Sequence, residues 1–481
     1  MNRIIFTLLT LAVLLPSSAQ AQVTVILSEE SAAFPTNPNA ELGLFDNIEA
    51  LIRRPDISNN GRFIGLEVAI GPYAEVDDTA VIIDLETGSQ TVIAQQGVTM
   101  LAGEPTGFIA DLVRVNNSGQ AAFHTGDSLA AFWNGTTLIP IIAEGDPTPV
   151  GAPQNLFGTP FGMTQLSNSG MVGGLYDSNG TGDPPSSRDD FLLLGSTVLA
   201  AANTSLPGYS PQGGGTGLTE FFSEFDLSPE GTNWIAEIRF DDTPASDSTI
   251  TVNGTVVAQE GITTHETPGG STVIYDDIVD LAINDSGDWI THARSTLGVD
   301  YTLVNGVAIF AEGELAPSGA TFTSMSGVSM NSNGDSISLW NTNDGNSIFI
   351  LNEDNIILSE GDTLNVDYNG DGNLENLVVD GFPLETFNLA DDGTLVLIVN
   401  FHDMDDNDVG NALITFDVSG LLGPSTLLGD VNLDTFVTFA DLSPFLALLT
   451  SGGFQAEADI NENGTVDFAD ISPFISLLSS P

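Results

Sequence analysis

The chain has 481 residues, with 65 acidic side chains against 8 basic ones, a formal charge of −57, 4 histidines and no cysteine; every basic residue is an arginine. Such a surface repels the phosphates of nucleic acids and of anionic lipids, so neither is expected as a partner, and no disulfide framework can hold the fold. Hydrophobic residues still make up 41%, enough for a large core, and 51 glycines favour a turn-rich all-β protein over an acidic disordered chain.

The N-terminus, "MNRIIFTLLTLAVLLPSSAQAQ", has the layout of a secretory signal. Arg3 supplies the positive end, Ile4 to Leu15 the apolar stretch, and Ala19-Gln20-Ala21 a small-residue cleavage site before Gln22. Residues 1–21 are therefore expected to be a signal peptide and the mature protein to be secreted, whether extracellular, cell-surface or periplasmic. The apolar stretch is too short for a membrane span, and no later segment reaches the length of about 18 apolar residues that one needs. Membrane insertion is not expected.

From there one pattern recurs: an apolar alternating run, an Asn/Asp/Ser-rich turn ending in glycine, then a second β-type run. It appears as "PDISNNGRFIGLEV", "LVRVNNSGQAAFH", "MTQLSNSGMVGGLY", "FDLSPEGTNWIAEI", "DLAINDSGDWITHA", "GVSMNSNGDSISLW" and "FNLADDGTLVLIV". The turn glycines Gly61, Gly119, Gly170, Gly231, Gly287, Gly334 and Gly393 lie 47 to 61 residues apart. Glycine accepts a positive φ and the polar neighbours bond nearby backbone, so each pattern reads as a hairpin. Two more short strands follow each hairpin, with turns such as Asn134-Gly135, Asn253-Gly254 and Asn305-Gly306. Seven four-stranded units predict an all-β, seven-bladed β-propeller over residues 22–420. The last unit lacks a fourth strand, whereas "VTVILSEE" at Val23–Glu30 looks like the fourth strands elsewhere. The N-terminal strand is thus expected to close the last blade, leaving no open edge. A β-helix, the alternative, would have shorter rungs and no closure.

These repeats resemble a family of secreted bacterial proteins, common in planctomycete-type organisms, built from N-x-x-G-x-x-x-F units alternating with "EGD" segments. Asn116 through Phe123 and Glu144-Gly145-Asp146 carry the resemblance, which implies a fold and no particular reaction.

The tight turns would share one propeller face, and the long connections 145–162, 204–223 and 361–384 the other, which makes the long-loop face the expected binding face. On it, "DYNGDG" places Asp367, Asn369 and Asp371 at alternate positions before Gly372, the opening half of a calcium loop. Its twelfth position is Val378, so Asp380 is the acid expected to close it. "HDMDDNDVG" offers Asp403, Asp405 and Asn407 in a similar way. The four histidines, His124, His265, His292 and His402, belong to different repeats without metal-type spacing, so no histidine centre is expected. No nucleophile elbow, phosphate loop or dinucleotide fingerprint appears, and no catalytic residue can be assigned.

After a short linker (421–428) the chain changes character. "GDVNLDTFVTFADLSPFLALL" is followed by "ADINENGTVDFADISPFISLL", two loop–helix halves 29 residues apart. Loop 1 sets Asp430, Asn432, Asp434, Phe436 (through its carbonyl), Thr438 and Asp441 at positions 1, 3, 5, 7, 9 and 12. Loop 2 sets Asp459, Asn461, Asn463, Thr465 (through its carbonyl), Asp467 and Asp470 there. That spacing wraps oxygens around a hard cation and closes with a carboxylate on the following helix. Helices are predicted over Leu442–Leu449 and Ile471–Leu478, each with a proline in its first turn, where the missing N–H costs little.

The duplicate, residues 429–481, resembles a type I dockerin. The resemblance implies a small α-helical calcium-loop domain, two bound Ca²⁺ (a third at Asp367–Asp371 if that loop also fills), and docking onto a cohesin-type or other secreted protein. Positions 10 and 11, which carry recognition in dockerins, are Phe439-Ala440 and Phe468-Ala469. Thr435 stands where loop 1 of the family has glycine, which should strain that turn. The expected function is a secreted, calcium-binding, non-catalytic propeller that binds a ligand, an extracellular glycan among the candidates, and is carried on a docking module. The alternative is an extracellular polysaccharide-acting hydrolase, or an accessory subunit, with a carboxylate site on the propeller.

Overall fold

The structure, a computed structural model, describes residues 23–28, 54–69, 78–101, 103–107, 109, 112–125, 129–179, 190–212, 215–353, 355–383, 387–422, 431, 441–451, 458, 460 and 465–479. The chain divides into two compact units, Met1–Leu421 and Leu422–Pro481.

The first unit is a seven-bladed β-propeller. Antiparallel sheets form in chain order over residues 56–95, 114–143, 156–201, 219–259, 272–311, 322–359 and 387–417, the last completed by the N-terminal strand. That strand, Val23–Ser28, pairs antiparallel with Asp408–Asp417 from Val23 opposite Phe416 to Ser28 opposite Ala412. The inner strands touch one after another, and that of blade 7, Phe387–Leu389, returns to that of blade 1, Asp56–Ile57. The array is a closed ring.

Each tight turn follows from its residues. The seven turn glycines all have positive φ, between 69° and 88°, and each donates its N–H to the carbonyl three residues back, as Gly119 does to Asn116 at 3.0 Å. In every blade but the seventh, where it is Ala390, the residue at that position caps its own turn: the Asn116 side chain accepts from the Ser118 and Gln120 N–H groups. The next residue reaches the neighbouring blade instead. Asn117 accepts from the Asn60 N–H at 2.9 Å, and Asn168 accepts from the Asn117 N–H at 3.1 Å. The Asn-rich turn motif thus has two tasks, closing a hairpin and joining it to the next one.

One expectation is corrected. The segment 361–384, read as a long loop, holds a hairpin of Thr363–Val366 with Glu375–Gly381, and the second strand joins the blade-7 sheet. Its turn carries Tyr368, 3% exposed, whose hydroxyl donates to the Val409 and Asn411 carbonyls at 3.1 and 3.2 Å. The Tyr368 carbonyl accepts from the Ser28 hydroxyl, so this hairpin also holds the closing N-terminal strand. Short strands bounded by Asn, Asp and Gly carry little of the alternation by which strands are recognised.

The second unit has helices Leu442–Ser451 (α1) and Ile471–Ser479 (α2). They pack through Phe445 stacked on Phe474 at 4.3 Å, within a core that includes Val431, Ala458 and Val466. The linker residues 423–428 lie outside the described residues.

Candidate functional site

The inner strands of all seven blades line a cavity of about 80 Å³ on the propeller axis, at the end where Asn59 and Pro229 of the tight turns sit. Its wall is built from one repeat position, five residues before each turn glycine. There the chain places Asp56, Arg114, Gln165, Asp226, Ala282, Ser329 and Asn388. Each polar member bonds to the following blade. Asp56 accepts from the Val115 N–H at 2.7 Å, the Arg114 Nε donates to the Thr164 carbonyl at 3.2 Å, and the Gln165 Nε2 to the Phe225 carbonyl at 3.0 Å. Asp226 accepts from the Ile283 N–H at 3.1 Å. In blade 5, where the position is Ala282, Asp280 takes over and accepts from the Val328 N–H at 2.8 Å. Ser329 donates to Asn388 at 2.7 Å, and Asn388 donates to Asp56 at 2.8 Å, which closes the circle.

Arg54 completes this ring from an unexpected side. It lies two residues before Asp56, yet its guanidinium donates to the Phe387 carbonyl (3.0 Å), the Val328 carbonyl (2.8 Å) and Asp280 (3.1 Å), in blades 7, 6 and 5. Arg114 pairs with Asp56 at 3.2 Å and stands 3.9 Å from Asp226. Among the described residues two arginines, Arg54 and Arg114, are therefore on the axis. Sequence reasoning missed the site because the residue types differ from blade to blade; the constant offset from the glycine was the available signal. It also lies at the tight-turn end, opposite the face expected to carry binding.

A second recess, about 860 Å³, runs along blade 5 between the connections 267–274 and 311–315 and the turn at 295–299. Leu297 and Leu315, 88% and 73% exposed, stand on its rim.

The Asp367 loop folds partly as expected. Asp367 accepts from the Gly372 N–H at 2.9 Å and Asn369 from the Asp371 N–H at 2.9 Å. The Asn373 backbone and side-chain amides hold the Asp371 carboxyl below its usual range. The acid that closes on this loop is Glu375, which accepts from the Tyr368 N–H at 3.0 Å; Asp380, expected in that place, lies 3.2 Å from His402 instead. One Asp367 oxygen, Oδ1, is buried without a hydrogen-bond partner. In the other loop Asp403 accepts from the Asp405 and Asn407 N–H groups and the Asn407 side chain, all within 2.9 Å, so both its oxygens are engaged. Among the described residues no three His, Cys, Asp or Glu side chains are grouped as a metal site.

The histidines stay apart. His124 meets the Thr164 hydroxyl at 2.6 Å, His265 the Gly306 carbonyl at 3.0 Å, and His292 stands 3.4 Å from Asp300. A different group is clustered where blades 4 and 5 meet. Glu237, 2% exposed, accepts from the Ser223 and Ser248 hydroxyls, the latter at 2.7 Å, and faces Arg239 at 3.3 Å. Burial pushes it up to about 7. Glu260 accepts from the Ser248 N–H at 3.2 Å and is likewise raised to about 7, by burial and by Asp247 beside it. Neither glutamate lines the axial cavity or the blade-5 recess.

In the C-terminal unit, Asp441 and Asp470 are both 0% exposed, at equivalent places at the start of the two helices. Asp470 accepts from the Asp467 N–H at 2.8 Å, and its carbonyl accepts from the Phe474 N–H at 2.9 Å. Thr465 lies beside Asp467, and Asp467 accepts from the Ala469 N–H at 2.7 Å. Phe468 is 81% exposed. Asp430, Asn432, Asp434, Phe436, Thr438, Phe439, Ala440, Asp459, Asn461 and Asn463 lie outside the described residues.

No family model matches the chain and no curated protein matches it. Solved propellers do. An oligogalacturonate lyase from Vibrio parahaemolyticus aligns at 9% identity over 84% of this chain and 95% of its own, with a TM-score of 0.38. A polysaccharide lyase aligns at 10% identity over 82% and 99%, TM-score 0.38. The propeller domain of the Trilobed protease from Pyrococcus furiosus aligns at 8% identity over 76% and 92%, TM-score 0.38. At such identities the likeness concerns the propeller fold alone. No helix among the described residues is long and apolar enough to cross a membrane.

Proposed function

We propose that the chain is a secreted binding protein, with the propeller as a ligand-binding scaffold and the C-terminal unit as a calcium-dependent docking module of dockerin type. One observation carries the calcium part. Asp441 and Asp470 are fully buried, yet residues 422–481 contain no Arg, Lys or His. Burying a carboxylate costs several kcal/mol unless it is neutralised, and a hard divalent cation bound by oxygens does so while drawing the loop around itself. The donor set fits: carboxylates and carbonyls at alternate positions, without nitrogen or sulfur ligands. When bound, Ca²⁺ supplies charge neutralisation and loop order. Asp441 and Asp470 anchor it to the helices, and the exposed Phe468 supports a docking surface beside loop 2.

Calorimetric titration of the secreted protein with CaCl₂ tests this reading. Two tight sites are expected, falling to one in Asp470→Asn; an unchanged titration in both Asp441→Asn and Asp470→Asn would overturn it. The docking partner is a secreted cohesin-like protein, to be sought by capture with and without EGTA.

A second reading, a polysaccharide-acting hydrolase, takes its support from Glu237 and Glu260, both pushed up by burial in the direction a general acid needs. Release of reducing ends from extracellular polysaccharides that is lost in Glu237→Gln would support it.

A further inference from the structure

The recess on blade 5 has walls bonded to one another. In the turn at 295–299 the Gly298 N–H donates to the Ser295 carbonyl at 2.7 Å, and the Ser295 hydroxyl accepts from the Leu297 and Val299 N–H groups. The Thr296 N–H donates to the Ile274 carbonyl at 3.0 Å, which fastens this turn to the connection 267–274. The Gly269 N–H donates to Glu314 Oε1 at 2.7 Å, which fastens that connection to 311–315. All three walls are thus fixed by the fold, as in a ligand site formed in advance.

The lining combines three chemistries. Val273 and Val299 give it an apolar wall, and the exposed Leu297 and Leu315 continue that surface onto the rim. Its charged side chains are Glu312 and Glu314, and no basic residue is among those that line it. The Glu312 carboxylate has no hydrogen bond or ion pair among the described residues. Independently of that charge, Thr267 lines the recess at 4% exposure, and its Oγ1 is buried without a partner. Buried hydroxyls are normally bonded, so this oxygen is an acceptor left open to a donor.

We propose that, on the reading of the propeller as a ligand-binding scaffold, the blade-5 recess binds a primary amine with an aliphatic chain. Its ammonium group supplies the positive charge that Glu312 and Glu314 lack and the donor that the Thr267 hydroxyl lacks, and its chain covers Leu297 and Leu315. Each other class fails on one of these features. An anion is repelled by both carboxylates, and a bare metal ion gains nothing from leucine and valine. A neutral apolar molecule would take the carboxylates out of water without pairing them, which is costly. Size agrees: about 860 Å³ lies within the roughly 300–1,000 Å³ of small-molecule sites.

Calorimetric titration of the secreted protein with n-hexylamine hydrochloride tests the site, at constant ionic strength and against ethylamine hydrochloride and 1-hexanol. Diffuse attraction to so acidic a surface acts on both amines alike, because it depends on charge and ionic strength. The site predicts one hexylamine bound, at least tenfold more tightly than ethylamine or hexanol. Glu312→Gln and Leu297→Ser should each weaken it at least tenfold; Leu297 is exposed, so its variant folds. Thr267→Val keeps the shape and removes the hydroxyl, and should weaken binding about fivefold, the worth of one hydrogen bond. Equal affinity for the two amines, hexanol bound as tightly as hexylamine, or titrations unchanged in both Glu312→Gln and Leu297→Ser would overturn the proposal. Calcium titration of the same sample separates the two readings. Hexylamine binding lost with calcium binding intact overturns the amine site alone, and the reverse overturns the docking module alone.

Discussion

The propeller and the C-terminal unit both bury carboxylates, and they differ in the basic residues their own sequence offers them. In the propeller, Asp56 and Asp280 have an arginine and a backbone N–H each, and Glu237 has two hydroxyls and Arg239. In the C-terminal unit Asp441 and Asp470 are as deeply buried, with no basic residue in the whole of 422–481. The propeller sets arginines of its own chain against these acids; in the smaller unit, on the function proposed above, a bound cation takes that part. A protein with 8 bases for 65 acids has placed two of its arginines, Arg54 and Arg114, on the propeller axis.

The sharpest way to break that contrast is Arg54→Ala. The change leaves Asp280 buried beside its remaining backbone donors and removes the Arg54 bonds from blade 1 to blades 5, 6 and 7, while the Asn388–Asp56 bond stays. Removing one partner of a buried pair costs about 3–5 kcal/mol, so unfolding in urea should begin at a markedly lower concentration. Arg62→Ala is the control, because the Arg62 side chain is 40% exposed in its pairs with Asp84 and Glu86; exposed pairs contribute about 0–1 kcal/mol.

Next in size is the pH response of Glu237. Its folded-state value is raised from 4.5 to about 7, so between those values the folded protein holds a proton that the unfolded chain has released. Stability is therefore greatest near and below the unfolded value and is lost as pH rises from about 4.5 to about 7, at ~1.4 kcal/mol per pH unit across that window. Repulsion within a chain of charge −57 gives a trend of the same sign. The quantity to read is thus the difference between the native protein and Glu237→Gln in pH-dependent melting. The variant should be flatter over that window, and parallel curves would show Glu237 to be ionised at neutral pH.

For the C-terminal unit, Asp470→Asn should weaken one calcium site at least tenfold, about 1.4 kcal/mol, with the propeller transition unchanged. If both transitions move, the two units do not handle charge independently.

Much of this contrast could be read before any coordinates. The turn glycines declare themselves because a positive φ is a local requirement that few other residues meet, and the strand count shows that the N-terminal strand closes blade 7. Calcium-loop spacing singles out Asp441 and Asp470, and what the structure adds is that both are fully buried at the start of a helix. The axial ring was not, since a channel-lining position asks only for a side chain able to reach the next blade, and Asp, Arg, Gln, Ser and Asn all satisfy it. Arg54 was hidden for a related reason: its partners lie 226 to 333 residues away. Glu375 was overlooked in favour of Asp380 because the calcium-loop template places the closing acid at position 12, whereas this loop ends in a strand that brings position 9 back onto it.

The smallest expected effect concerns the link between neighbouring turns. Asn117→Ala leaves Gly119 and the Asn116 cap intact, so the hairpin of blade 2 should still form. What it removes is the acceptor for the Asn60 N–H at 2.9 Å, one step of the bonding between blades. Because this link is exposed, water replaces the lost partner and the cost should stay near the usual ~1 kcal/mol for a hydrogen bond. Asn116→Ala, by contrast, strips both the turn N–H groups and the Ser167 carbonyl partner from a residue 2% exposed. If the motif has the two tasks assigned to it, the Asn116 change lowers stability several times more than the Asn117 change. Equal losses would mean that joining the blades matters as much as closing the hairpin.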